Sequence, residues 1–236
     1  MDDERDHPDE RRLVDAVDDF FDGVFVPLEE WLPTLRAQLS ERLAPGSITG
    51  AGLVALIEAD AHRILEHTDR PLYGAGYCAT AEMVSEGNPL AWWQGPDRSL
   101  LASSTFGPGQ AAIDLQRLEW YRVPAETHER HIAGPFVDYL CSNEITLTSA
   151  LPVMIDGEFA GVACADVLVA SLEDLLLPEV SKLPGATLIN ANGRVIVSAD
   201  PAFETGDRFP GASDPGANGL RETRSRSYPF ALVVPQ

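Results

Sequence analysis

Apolar side chains recur at helical spacing near the start of the chain, at Leu13, Val14, Val17, Phe20, Phe21, Val24 and Phe25. The stripe continues through Leu28, Trp31, Leu32, Leu35, Leu39 and Leu43. This period predicts two helices or one kinked helix behind a disordered acidic tip. Pro27 and Pro33 each remove a backbone donor, so a break is expected near them unless Pro27 sits in the first turn of a second helix. Ser47 or Thr49 is placed to cap a further helix over 51–67, where Leu53, Leu56, Ile57 and Ile64 share a face.

Past residue 70 the pattern becomes extended. Strands are expected over 72–79 and 100–104, with an aromatic stretch at 90–93 between them and a helical or irregular piece over 110–120. Two long runs rich in β-branched and apolar residues, 145–155 and 159–169, flank Asp156-Gly157. That pair is a two-residue turn that favours positive φ, so the runs read as a hairpin. A helix over 171–180, a hairpin-like pair around Asn192-Gly193 and a closing strand over 228–234 complete the order. Long helices first and antiparallel strands later indicate an α+β fold.

Composition narrows the function. With 44% hydrophobic residues in 236, the chain has material for a true core. Its 17 Lys and Arg against 37 Asp and Glu leave a formal charge of −20. Nucleic-acid binding needs clustered cations, so no nucleic acid is expected, and anionic membranes should repel the chain. Such a surface draws small cations, although its commoner role is solubility.

Cys78, Cys141 and Cys164 form no CxxC pattern and are expected as buried thiols. The acidic start is the opposite of a basic-then-apolar leader, and no window reaches the roughly 18 apolar residues that a membrane helix needs. A soluble, cytoplasmic protein is expected.

One feature breaks the apolar run of the second hairpin strand, Gly161-Val-Ala-Cys-Ala-Asp166-Val167. A lone carboxylate there is costly to bury unless something cationic or donating meets it. A ligand ammonium would do so.

The order Pro152-Val153, Asp156-Gly157, Gly161-Val162, Asp166-Val167 and Leu172-Glu-Asp-Leu-Leu176 resembles the distal half of a double Cache sensor domain, a PAS-like ligand-binding module. Glu119-Trp120-Tyr121 matches the place of that family's Trp-Tyr pair, and the run from Ala186 to Pro201 resembles its second-module opening. The likeness spans Asp69 to Gln236. It implies N-terminal helices over 1–68, a ligand-binding Cache module over 69–183 and a short second PAS-like module over 184–236.

It also implies a role in signal transduction. Asp166 would stand at the acidic position that holds a ligand amino group, and the N-terminal helix would offer a homodimer contact. Amino-acid-binding relatives place an arginine two residues before the Trp-Tyr pair, where this chain has Leu118. If this stretch is a strand, Arg117 and Arg122 point to the other face from Leu118. The missing arginine favours an amine without a carboxylate, or else an amino-acid-like ligand held by other donors such as Thr148 or the Tyr139 hydroxyl.

The candidate ligand site comprises Asp166, Trp120, Tyr121, Trp93, Asp138 and Tyr139, from a wider set that includes Trp92. Carboxylates would supply charge and aromatic faces a cation–π attraction of about 0.5–2 kcal/mol each. The plainer reading makes the aromatic residues core fillers and pairs the aspartates with Arg117 or Arg122. No cofactor and no metal is expected, because His128 and His131 make only an HxxH pair without a motif-placed third ligand. Any signal would pass to a separate, unidentified protein. The alternative is an enzyme on a PAS-like scaffold using Asp138 and Asp166, or His128 and His131, for proton transfer. A third possibility is an association scaffold with a vestigial pocket.

Overall fold

The computed structural model describes residues 7–44, 46–67, 69–101, 114–138, 144–211 and 219–236. The N-terminal stripe forms a single helix, α1 (Pro8–Leu43), which continues through both prolines. Each proline removes one helix hydrogen bond, but the stripe that α1 buries is long enough to outweigh that loss. Leu13, Val14, Val17, Phe21, Val24, Phe25, Leu28, Trp31, Leu35 and Leu39 all enter the main core.

The helix begins within the segment expected to be a disordered tip, and Glu10 explains why. Its buried carboxylate accepts hydrogen bonds from Arg221 Nη2 at 2.7 Å and Thr223 Oγ1 at 3.0 Å. Helix α2 (Gly50–Leu65) starts at Thr49, whose hydroxyl accepts the amide of Gly52 at 3.0 Å, the capping contact expected.

Six strands form the first sheet: β1 (Leu72–Ala79), β2 (Leu90–Gln94), β3 (Ser99–Leu100), β4 (His131–Val137), β5 (Ile145–Ile155) and β6 (Glu158–Leu168). All pairs are antiparallel, in the order β3-β2-β1-β6-β5-β4. The β5–β6 hairpin turns at Asp156 and Gly157, both at positive φ (52° and 86°), as a type I′ connection requires. Residues 102–104 of the strand expected over 100–104 lie outside the described residues.

Helix α3 (Glu119–Thr127) precedes β4, and α4 (Val169–Val180) follows β6. The second sheet has the order β8-β7-β10-β9, from β7 (Thr187–Asn190), β8 (Val195–Ser198), β9 (Leu220–Arg224) and β10 (Phe230–Pro235). Helix α1 packs on strands of both sheets, and the main core draws residues from α1, α2 and each sheet. Phe21, Phe25, Tyr228 and Phe230 form one aromatic group between α1 and the second sheet. Arg130 lies over the rings of Phe25 and Tyr228 at 5.1 and 5.2 Å.

Alternation along the strands gives the first sheet two different faces. Ala75, Tyr77, Ala163, Ala165, Val167 and Leu147 point into the core shared with α1 and α2. Cys78, Val162, Cys164 and Ala150 belong to a second cluster with Trp120 and Tyr121 of α3. The architecture is α+β, as the sequence pattern indicates, and PAS-like, as the resemblance implies.

Candidate functional site

The site lies on the α3 face of the first sheet. In register, Asp166 on β6 faces Thr148 on β5 and Gly74 on β1, while Cys164 and Trp92 both oppose Gly76. The two glycines bring a large ring close to the strand. A Cβ on Gly74 would stand 2.9–3.1 Å from the indole of Trp92, and one on Gly76 would stand 2.1 Å from the Ala91 carbonyl oxygen. Gly-Ala-Gly therefore forms the floor beneath Trp92.

Leu90, Trp92, Trp120, Phe136, Asp138, Thr148, Cys164 and Asp166 line a cavity of about 30 Å³, with about 350 Å³ of empty space once its open mouth is included. The inner volume takes about two water-sized groups, and the cavity is partly open, so a short ligand extends toward its mouth. A larger polar cleft of about 590 Å³, between β4 and the β7–β8 turn, contains none of the ligand-contacting residues selected from sequence.

Asp166 is 5% exposed. Thr148 Oγ1 donates to its Oδ1 at 2.6 Å. Burial pushes the carboxyl up to about 7, the Thr148 bond opposes that rise, and the negative charge of Asp138 adds to it. Asp138 is also buried, and its amide donates to the Glu144 carbonyl at 2.9 Å. No Lys, Arg or His lines the cavity among the described residues. Burial raises the thiols of Cys78 and Cys164 as well, consistent with inert buried cysteines.

Of the residues selected from sequence, Asp166, Asp138 and Trp120 come together at the cavity. Trp93 does not. It points to the opposite face and packs in the main core, its ring 5.8 Å from that of His62. Trp92 takes its place because the β1–β2 register sets Trp92, not Trp93, on the glycine face. Tyr121 shares the apolar cluster, edge-on to Phe159 at 5.6 Å, but does not line the cavity. Tyr139 lies outside the described residues.

Other expectations change. Residues 119–127 are helical, so the strand-face argument for Arg117 and Arg122 does not hold; these arginines pair with Asp114 and Glu126. The Thr148 hydroxyl donates to Asp166, not outward to a ligand. His128 caps α3 in the left-handed conformation, and His131 sits on β4 with Nε2 2.9 Å from Glu119, so the two histidines do not share a helical turn. No group of metal-ligating side chains occurs among the described residues. Leu90 and Phe136 were not selected from sequence; the Gly74-Ala-Gly76 spacing is a signal that could have singled out Trp92 from the wider aromatic set.

No family model matches the chain, and no curated protein matches its sequence. Solved structures do share its fold. The ligand-binding domain of the amino acid chemoreceptor PctC of Pseudomonas aeruginosa PAO1, in complex with GABA, is 17% identical. It aligns over 95% of this chain and 98% of its own with a TM-score of 0.51. The extracellular domain of a protein named as a histidine kinase, mmHK1S-Z2, is 15% identical over 75% of this chain and 80% of its own, with a TM-score of 0.53. An extracellular ligand binding receptor from Desulfohalobium retbaense DSM5692 gives 0.54 at 12% identity, covering 96% of this chain and 40% of that one. These likenesses show a shared fold, consistent with the Cache-type fold that the sequence resemblance implies. Among the described residues, no helix is long and apolar enough to cross a membrane.

Proposed function

We propose that this chain is a ligand-binding sensor domain whose cavity holds a small amine, with Asp166 as counter-ion to the ammonium. The observation that carries this reading is the buried Asp166 carboxyl in a cavity walled by Trp92 and Trp120, with Asp138 as a second carboxylate. A ligand ammonium offsets the cost of charging Asp166, and the indole faces add cation–π attraction. A ligand carboxylate would meet two like charges and no described cation. Residues 102–113 and 139–143, the undescribed segments between β3 and β4 and between β4 and β5, hold no Lys, Arg or His in their sequence. This supports an amine over an amino acid.

Helix α1 packs on β5 and β6, the strands that carry Thr148 and Asp166. In this reading occupancy shifts the balance between two settings of α1 and is read by a separate protein or by a second copy. The named neighbours are sensor and receptor domains, two of them extracellular. Cytoplasmic placement of this chain remains part of the proposal, and cell fractionation tests it.

A thermal-shift screen of amines, amino acids, purines and carboxylates tests the ligand class, since ligand at a hundredfold its Kd adds about 2.7 kcal/mol of stability. Amines should raise Tm in the native protein and not in Asp166→Asn. A carboxyl near neutrality also suits proton transfer, so the same amines are followed by NMR for turnover. Conversion of the amine would favour the enzyme alternative on Asp138 and Asp166. No shift with any compound would overturn the amine pocket.

A further inference from the structure

The indole N–H of Trp92 is sealed from solvent, yet Nε1 has no hydrogen-bond partner among the described residues. Trp92 is 6% exposed and lines the cavity. A buried Trp normally finds an acceptor for this donor, because leaving it unpaired forfeits its hydration without return. The position of the orphan is specific. A Cβ on Gly74 would stand 3.0 Å from Nε1, and Gly74 is the direct cross-strand partner of Asp166. The unpaired donor therefore lies about one strand spacing, ~5 Å, from the strand that carries the buried carboxylate.

We infer that Trp92 Nε1 is a specificity-determining donor that reads a neutral oxygen on the ligand. The ligand class is a short amine with a hydroxyl or carbonyl oxygen one or two carbons from the carbon bearing nitrogen. This deepens the amine reading and rests on it. The ammonium occupies the Asp166 end and the oxygen accepts from Trp92. A ligand carboxylate would also accept from the indole, but it would stand beside Asp138 and Asp166, so a neutral oxygen fits the site better. Trp92 thus has two separable roles: its ring faces the cation, and its N–H selects the second functional group. Phe in its place keeps an aromatic face, though a smaller one, and removes the donor, so the donor's share is read from the ratio of two ligands and not from either affinity alone.

The test compares ethanolamine with n-propylamine, which differ by hydroxyl against methyl at similar size, by calorimetric titration of the full chain and of Trp92→Phe. The full chain should bind ethanolamine about tenfold more tightly, the worth of one buried hydrogen bond. Trp92→Phe should bring that ratio to about one, while both affinities fall together because the smaller ring is a weaker cation–π face; a cooperative urea transition shows that the variant is folded. Equal affinity for the two amines in the full chain overturns the inference, as does a preference that survives in Trp92→Phe. If Trp92→Phe does not fold, the ratio in the full chain still decides. Failure of both amines to bind would instead refute the underlying amine reading.

Discussion

Thr148 and Asp166 are direct cross-strand partners on β5 and β6, and the threonine hydroxyl donates a 2.6 Å hydrogen bond to Asp166 Oδ1. Both side chains are buried, so this bond is what the protein itself offers to a charged Asp166. It lowers the proton affinity of a carboxyl that burial and Asp138 raise.

Replacing Thr148 with Val keeps the shape and removes that donor. The Asp166 carboxyl should then titrate above its present value of about 7. Amine affinity at pH 7 should fall about tenfold, the low end for a hydrogen bond to a charged group. Titration calorimetry on Thr148→Val checks this, and an unchanged affinity would mean that the pair does not act on the ligand.

The raised carboxyl also sets a pH dependence of stability. Asp166 binds its proton more tightly when folded, at about 7 against an ordinary 3.8, so its neutral form favours the native state. That stability is fully present below about pH 4 and is lost progressively as pH rises to about 7, after which the effect is flat. Asp166→Asn lacks this titration. The variant should therefore gain on the native protein across that interval, by up to roughly 4 kcal/mol from a three-unit shift. Urea unfolding of both proteins at pH 4.5 and pH 8 reads the difference; an equal gap at both values would mean that Asp166 titrates normally.

Gly76 tests the floor of the cavity. A Cβ there would approach the Ala91 carbonyl oxygen to 2.1 Å, and that oxygen belongs to the paired backbone of β2. Gly76→Ala should cost about 2–4 kcal/mol, because neither strand can shift without disturbing the ladder. The change is read as a lower urea midpoint; a loss under about 0.5 kcal/mol would show that the floor yields easily.

Much of the fold was legible because local signals agreed with one another. The Thr49 cap and the Asp156-Gly157 turn stand as read, and so does the apolar stripe of α1, although the break expected at Pro27 or Pro33 does not occur. Strand β4 was not read, since Gly134-Pro135 breaks its pattern; the structure accommodates that dipeptide with a register shift between Ala133 and Phe136. Strand β9, Leu220–Arg224, is polar and only partly buried, so it carried no apolar signal.

The site was half legible. Asp166 stood out as a charge within an apolar strand. The choice between Trp92 and Trp93 depends on which face of β2 meets the site, and pairing with β1 decides that, not the tryptophans themselves. The role of Thr148 likewise required the β5–β6 register, which places it opposite Asp166.

The most direct measurement is the number of protons released when n-propylamine binds, from calorimetry at pH 6 and pH 8.5 in buffers of different ionisation heat. Asp166 is mostly protonated at pH 6, and an ammonium beside it forces it to ionise. The account expects about one proton released per amine at pH 6, almost none at pH 8.5, and binding lost in Asp166→Asn. Binding at pH 6 without proton release, or undiminished binding by Asp166→Asn, would contradict it.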